Sequence, residues 1–288
     1  RMERANKQEG WLVFGLSGMV GDGLCAQRLP GDPPLLAVSR RARSDGPGLR
    51  WLAGELPAPG PLPATDAIAS LGPLDAFAEW FEASGAAPAR VVALGSTSVH
   101  GKVGSPDPAE RALVRTLEAA ERRLSAACAA RGCALTLLRP TLVWGRGRDR
   151  NLGRWVALAR RLRWLPLPRS ARGLRQPIHA DDVAAAVLAA LRAPAPVPGV
   201  FDLPGGETLA YDAMVERCLR AAAPGARLLR VPAPLFRLGL VLLGRRGPGP
   251  GVLARLDRDL AYDGAPVRAA LGLAPKPFRP APEDFPAV

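Results

Sequence analysis

Residues Trp11-Leu-Val-Phe-Gly15-Leu-Ser-Gly18-Met-Val-Gly21 decide the fold of this chain of 288 residues. The apolar run is typical of a strand buried on both faces of a parallel sheet. The glycines, spaced G-x-x-G-x-x-G, allow a tight turn and a close approach of the backbone to a diphosphate at a helix N-terminus. The stretch therefore favours a dinucleotide site, and a purely structural turn is the alternative. The predicted contacts are Gly15, Ser17, Gly18, Met19, Val20 and Gly21.

Strand-like and helical segments alternate in the first half of the chain, the pattern that builds a parallel sheet covered by helices. We expect an α/β fold: a Rossmann-type doubly wound parallel sheet over residues 10–140, with a smaller C-terminal α+β substrate lobe over 141–288 that returns some segments to the sheet. The predicted strands are 11–15, 35–39, 49–53, 66–70, 90–95, 134–138 and 200–203, and the predicted helices are 19–29, 74–84, 109–131, 150–163, 181–192, 210–222, 233–243 and 265–271.

Composition argues against several classes of protein. The net charge of +13 comes from scattered arginines with few aromatic residues, so we expect no nucleic-acid partner, although a basic surface would suit a phosphate-bearing substrate. No apolar stretch approaches the ~18 residues of a membrane span, the nearest being 238–243. Four cysteines without C-x-x-C pairing and two histidines predict free thiols, no metal site and a cytoplasmic location.

The segment Ser39-Arg40-Arg41 follows the second predicted strand. In a nucleotide-binding sheet this is where the adenosine ribose lies, and arginine there favours a 2′-phosphate over a 2′-hydroxyl. These residues therefore favour NADP, with NAD as the other possibility. The alternative is a solvated arginine pair in an arginine-rich chain.

A second group of polar residues follows the fifth predicted strand, in the segment Gly95-Ser96-Thr-Ser98-Val-His100-Gly101. The carboxyl ends of strands in open α/β sheets face the ligand crevice, so the hydroxyls of Ser96 and Ser98 are expected to reach a substrate. A plain Ser/Thr-rich turn is the alternative.

Together these motifs resemble the extended short-chain dehydrogenase/reductase family, the NAD(P)-dependent epimerases and dehydratases that act mainly on nucleotide sugars. Besides the glycine-rich turn, Ser96-x-x-Val-His-Gly101 is similar to the family's S-x-x-V-Y-G. Further matching segments are Leu138-Arg139-Pro140, Val143-Trp-Gly145, Arg175-Gln-Pro-Ile-His-Ala-Asp-Asp-Val-Ala184 and Phe201-Asp-Leu-Pro-Gly-Gly-Glu207.

The resemblance implies roles for several residues. Ser96 falls at the family's catalytic Ser/Thr, which hydrogen-bonds the reacting oxygen. Arg175 falls where the family often contacts the nucleotide diphosphate, and Arg139-Pro140 lies beside the nicotinamide end of the cofactor. Family members often dimerise through the long helix and its neighbour, which implies a possible homodimer.

One departure from the family concerns its Tyr-x-x-x-Lys pair. Matching the long helix places Leu113 and Leu117 at those positions, and neither side chain can transfer a proton. His100 is the predicted substitute, because histidine titrates near neutral pH, with a packing or hydrogen-bonding role as the alternative. Transfer of the proton by bound water or by the substrate itself is a further alternative.

Two functions follow from the sequence. The first is an NAD(P)-dependent oxidoreductase or epimerase that acts on a nucleotide sugar or a similar keto/hydroxyl compound, with Ser96 polarising the carbonyl. The second is a catalytically degenerate NADP-binding sensor or scaffold, which Leu113 and Leu117 favour. Binding of nucleic acid has composition alone behind it.

Overall fold

A computed structural model describes residues 8–149, 152–236, 238 and 250–286. The predicted helix at 233–243 lies largely outside these residues. The strands are β1 (Trp11–Phe14), β2 (Leu35–Ser39), β3 (Leu49–Ala53), β4 (Ala67–Ser70), β5 (Arg90–Leu94), β6 (Ala134–Pro140), β7 (Val143–Trp144), β8 (Trp164–Pro168), β9 (Leu174–Arg175), β10 (Ile178–His179), β11 (Gly199–Leu203), β12 (Leu209–Ala210) and β13 (Arg227–Val231). The helices are α1 (Met19–Ala26), α2 (Leu74–Ser84), α3 (Ser98–Gly101), α4 (Pro108–Ala130), α5 (Leu152–Leu162), α6 (Ala180–Arg192), α7 (Tyr211–Ala222), α8 (Pro250–Leu253) and α9 (Ala265–Leu271).

Seven parallel strands form the central sheet in the order β11-β6-β5-β4-β1-β2-β3. Side chains alternate between the two faces, as the period of a strand requires. In β1, Trp11 and Val13 pack against α1 and α6, whereas Leu12 and Phe14 pack against α2 and α4. The sheet is therefore covered on both faces, and the predicted Rossmann-type α/β fold is confirmed.

A second core lies in the C-terminal half, where α5 and α7 pack together beside the two-stranded sheet of β8 and β13. Trp144 and Phe278 meet there edge to face, with ring centroids 4.8 Å apart. The C-terminal half also contributes β11 to the central sheet. The division into domains at residue 140 remains a prediction.

The predicted elements differ from the observed ones in a few places. Helix α1 ends at Ala26, three residues before the predicted end, and the chain then turns, with the Asp32 carboxylate accepting from the Leu29 N–H at 2.8 Å. The predicted elements do not include strands β7, β8, β9, β10, β12 and β13 or the four-residue helices α3 and α8. In β8, Pro166 and Pro168 each lack the N–H that a strand ladder uses.

Among the described residues, no helix is long and apolar enough to cross a membrane. The same residues contain no group of three or more His, Cys, Asp or Glu side chains placed to hold a metal ion.

Candidate active site

The glycine-rich turn between β1 and α1 is shaped by two of its glycines. Gly15 has a φ of +78°, which glycine adopts without strain, and a Cβ there would lie 2.7 Å from the backbone nitrogen of Gly72. A Cβ on Gly21 would lie 1.9 Å from the carbonyl oxygen of Leu16. Around Gly18, in contrast, the nearest atom to such a Cβ is 3.4 Å away. Packing therefore requires Gly15 and Gly21, whereas Gly18 leaves the turn accessible.

The start of α1 offers backbone N–H donors to an anion. Gly18 is the N-cap residue and has no side chain to accept from the first turn, where the N–H groups and the helix dipole favour negative charge. The turn lies where the strand order reverses between β1 and β4, the place where ligands bind in open α/β sheets. With Ser17, Met19 and Val20 supplying backbone, the turn fits the diphosphate of a dinucleotide.

The segment after β2 carries the residues predicted to bind a 2′-phosphate. The Ser39 hydroxyl accepts from the Arg41 N–H at 3.2 Å, and Arg40 Nη1 donates to Glu55 Oε1 at 3.1 Å. The Arg40 and Glu55 side chains are 65% and 61% exposed, and such a surface pair contributes about 0–1 kcal/mol. Arg40 can therefore exchange Glu55 for a phosphate at little cost.

A cavity of about 850 Å³ begins at the glycine-rich turn. It extends from Met19, the first residue of α1, past the end of β5 to the C-terminal half of the chain. The predicted site residues that line it are Met19, Gly95, Ser96, Ser98, Pro140 and Arg175. The predicted residues outside its lining are Gly15, Ser17, Gly18, Val20, Gly21, Ser39, Arg40, Arg41, His100 and Arg139.

Ser96 is held at the end of β5 by its own turn. Its Oγ accepts a hydrogen bond of 3.1 Å from the Ser98 N–H, and the Gly95 N–H donates to the Leu138 carbonyl at 2.7 Å, which fixes the turn to β6. Because Oγ acts as an acceptor in this bond, its own hydrogen can still be donated to an oxygen in the cavity. Ser96 can therefore polarise a carbonyl or hold a hydroxyl.

His100 and Arg139 lie in a charged network beside this turn. Arg139 donates to both Glu121 carboxylate oxygens, at 2.9 Å from Nε, and these hydrogen bonds raise its pKa. His100 Nε2 lies 3.2 Å from Asp202 Oδ1 and 3.3 Å from Arg139 Nη1. A guanidinium donates and a carboxylate accepts, so Nε2 satisfies one of them at a time. The structure thus places both residues with α4 and β11 rather than on the cavity wall.

Arg175 lines the cavity but uses several donors on the protein itself. Its Nη1 donates to the carbonyl oxygens of Leu174 at 2.7 Å and Arg258 at 2.8 Å, and its guanidinium lies 5.2 Å from the ring centroid of Tyr211. Burial lowers the pKa of Arg175. This buried cation therefore also holds the segment near residue 258 against the cavity.

Tyr262 lines the cavity and was not predicted from the sequence. Its hydroxyl donates a long hydrogen bond of 3.5 Å to the Thr97 carbonyl, and its ring centroid lies 5.6 Å from that of His100. Its backbone N–H donates to Gln176 Oε1 at 2.7 Å. Burial raises the pKa of Tyr262, and the Asp202 carboxylate adds to this effect. The phenol is therefore protonated near neutral pH.

Lys102 and Arg255 add positive charge to the cavity wall and are not among the predicted site residues. Both lie near Glu110: Arg255 donates to both carboxylate oxygens, at 2.7 Å from Nη2, and Lys102 Nζ lies 3.8 Å away. Burial acts to raise the pKa of Glu110, but hydrogen bonds from Arg255 and Ser105 hold it below its usual value. No local motif marks these residues, because tertiary contacts bring them together.

Leu113 and Leu117 lie in the first half of α4. Asp107 caps the helix by accepting from the Ala109 N–H at 2.9 Å, so its start is well defined. Leu113 is 40% exposed, and Leu117 packs against the core that α2 and α4 form with the central sheet. Neither position offers a titratable group.

Comparison with known proteins supports the fold and the resemblance inferred from the sequence motifs. Residues 72–203 match the model of the NAD dependent epimerase/dehydratase family. MoeE5, solved with UDP-glucuronic acid and NAD, shares 21% identity and a TM-score of 0.71 over 96% of this chain and 97% of its own. UDP-glucuronic acid 4-epimerase from Bacillus cereus shares 13% identity and a TM-score of 0.68 over 96% and 94%. RMD from Pseudomonas aeruginosa, complexed with NADPH, shares 17% identity and a TM-score of 0.62 over 95% and 96%.

No curated protein matches the sequence. The family match begins after the glycine-rich turn and contains Ser96, Arg139 and Arg175. The predicted resemblance to the NAD-dependent epimerases and dehydratases is thus confirmed. Roles for individual residues remain predictions.

Proposed function

We propose that the protein is an NAD(P)-dependent oxidoreductase or epimerase of the epimerase/dehydratase type, acting on a nucleotide sugar or a similar keto/hydroxyl compound. The observation that carries this proposal is the cavity, which joins the first residue of α1 to the Ser96 turn and to the cations of the C-terminal half. A dinucleotide at the turn and a substrate beside Ser96 would meet in this space.

The glycine-rich turn and the segment after β2 hold the cofactor in this proposal. The backbone around Gly18 binds the diphosphate, while Arg40 and Arg41 favour the 2′-phosphate of NADP over NAD. Gly95, Arg139 and Pro140 form the nicotinamide side. A bound nicotinamide dinucleotide supplies two electrons as a hydride, given to or taken from the carbon that bears the reacting oxygen.

The proposed binding of a nucleotide sugar rests on the positive charge of the cavity wall. Lys102, Arg154, Arg175 and Arg255 all line the cavity, and Ser98 adds a hydroxyl. Arg154 is exposed and has no hydrogen-bond partner or ion pair among the described residues, so its guanidinium is available to an anion. Such a wall suits the diphosphate of a nucleotide sugar.

Ser96 hydrogen-bonds the reacting oxygen, and Tyr262 exchanges a proton with it. As the carbon is reduced, the oxygen takes the phenolic proton of Tyr262, and the phenolate left behind regains a proton from solvent; in the reverse direction the phenol must first lose its proton to solvent before it can accept one from the substrate hydroxyl. His100, the proton carrier predicted from the sequence, lies behind Tyr262 and outside the cavity lining. Its catalytic role remains a prediction.

The second candidate is an NADP-binding sensor or scaffold without turnover, which Leu113 and Leu117 favour. For either function, a homodimer through α4 and α2 remains part of the proposal. Sedimentation would report a mass of twice 30.3 kDa for the dimer.

The experiment that separates the two candidates is a turnover assay. Purified protein with NADPH or NADH is incubated with UDP-glucose, UDP-glucuronic acid and keto-sugar nucleotides, and products are separated by chromatography. An enzyme gives oxidised cofactor or an epimerised sugar, and Ser96→Ala lowers kcat about 100-fold or more. Cofactor binding without any product identifies the sensor. Full turnover by Ser96→Ala contradicts the role of this hydroxyl.

A further inference from the structure

An arginine from the segment after β7 lies on the glycine-rich turn. Arg148 Nη1 donates to the Ser17 carbonyl at 2.6 Å and lies 3.3 Å from Asp22 Oδ2, in the first turn of α1. The Arg148 side chain is 52% exposed. A cation from the other half of the chain thus reaches the place where the turn fits a diphosphate.

The backbone before Arg148 is held in a defined conformation. Arg146 has a φ of 55° and Gly147 a φ of 64°, so two successive residues are left-handed, which costs about 1–2 kcal/mol for a residue with a Cβ. Arg146 Nε donates to Asp181 Oδ1 at 2.5 Å, at the start of α6. A Cβ on Gly145 would lie 2.3 Å from His179 Nε2. These contacts fix the direction from which Arg148 approaches the turn.

The contacts of Arg148 leave part of its guanidinium for an anion. Both contacts are made by Nη1, and among the described residues Nε and Nη2 have no hydrogen-bond partner. The turn supplies backbone N–H groups but no cation of its own between Gly15 and Gly21. A diphosphate bound by backbone alone would keep much of its charge, and a guanidinium can bind phosphate oxygens in a bidentate way.

We propose that Arg148 closes over the glycine-rich turn and binds the diphosphate of the cofactor. The inference rests on the proposed binding of a nicotinamide dinucleotide. Asp22 holds the guanidinium at the turn when no diphosphate is bound, and the anion takes its place. Arg148 would thus serve NADH and NADPH equally, in contrast to Arg40 and Arg41.

The test measures dissociation constants for NADH and NADPH by fluorescence, and for ADP-ribose by calorimetry. Arg148→Met removes the charge while keeping a long side chain, and we expect it to weaken all three ligands by a similar factor, on the order of tenfold. Arg148→Lys should lie between Arg148→Met and the unmodified protein. Thermal unfolding of both variants should be unchanged, because the side chain is half exposed.

Asp22→Asn is the matched control. If Asp22 competes with the diphosphate for Arg148, this variant binds ADP-ribose as tightly as the unmodified protein or more tightly. If Asp22→Asn instead loses as much affinity for ADP-ribose as Arg148→Met, the Arg148–Asp22 pair only attaches the segment after β7 to α1, and the proposal is overturned. Binding by Arg148→Met within twofold of the unmodified protein would also overturn it. If the unmodified protein binds none of the three ligands, the proposed function itself fails.

Discussion

The glycine-rich turn after β1 and helix α4 are two regions of the molecule that differ in how far they match the pattern of the epimerase/dehydratase family. In the turn, Gly15 and Gly21 are required by packing, since a Cβ on either would lie within 2.7 Å of backbone atoms. On α4, Leu113 and Leu117 stand where the resemblance noted in the sequence would put a proton-transferring Tyr and Lys, and leucine is a good helix former.

This difference shows which parts of a motif depend on the fold. Replacing Gly21 would force α1 to move away from Leu16, so the packing of the turn and its proposed binding of a diphosphate depend on the same residue. Leu113 is 40% exposed and Leu117 is only partly buried, so neither position is constrained as tightly as Gly21, and the side chains there can change while the sheet and helices stay the same. If the chain is the proposed enzyme, its proton carrier comes from elsewhere, and Tyr262 approaches the Ser96 turn from the C-terminal half.

The largest expected effect concerns the proposed role of Tyr262 as proton carrier. Tyr262→Phe should lower kcat by about 100-fold or more with little change in KM, because a general acid contributes about 10²–10⁴ in rate. The matched control is Tyr211→Phe, which removes the other tyrosine of the chain. Tyr211 lines the same cavity, and Tyr211→Phe keeps the ring that lies against the Arg175 guanidinium, so this variant should change kcat far less than Tyr262→Phe. Equal losses in both variants, or none in Tyr262→Phe, would contradict the assignment.

A smaller effect is expected from the packing of the turn. Gly21→Ala should destabilise the protein by about 1–3 kcal/mol, because its Cβ forces the turn to shift, and cofactor binding should be lost with it. Gly18→Ala should unfold at the normal temperature, since its Cβ has room, yet bind the cofactor less well. Thermal unfolding and cofactor titration of both variants make the comparison. A normal melting temperature for Gly21→Ala would show that packing does not require this glycine.

A smaller effect is expected on the preference for NADPH over NADH. Replacing Arg40 and Arg41 with Ala should weaken NADPH about tenfold while leaving NADH nearly unchanged, because the lost contact is with the 2′-phosphate. Fluorescence titration with both cofactors measures the ratio. Equal losses for NADPH and NADH would argue against such a contact.

The smallest expected effect concerns how the loop after α1 is attached to α6. Hydrogen bonds from Arg192 lower the pKa of Asp32, so the pair stabilises the fold above the unfolded pKa of an aspartate, and this contribution is lost as pH falls through the folded pKa. Asp32→Asn should therefore melt slightly below the unmodified protein at pH 7, and the difference should vanish near pH 2. A difference that persists in acid would mean that charge is not its cause.

The sequence predicts the sheet and the turn because local patterns determine them. The apolar run of β1 indicates a buried strand, and the glycines after it indicate a tight turn, without reference to the rest of the chain. Ser96 likewise follows a buried strand. Tyr262 and Arg148 could not be predicted in this way. Each reaches the site from a distant segment, and no spacing in the sequence encodes the contacts of Tyr262 with Thr97 or of Arg148 with Ser17.

The most direct test of the central claim, that this chain binds a nicotinamide dinucleotide at the glycine-rich turn, is a fluorescence titration of the unmodified protein with NADPH and NADH. We expect a saturable enhancement with both cofactors, tighter for NADPH, that Gly18→Ala weakens. No response to either cofactor would contradict the account.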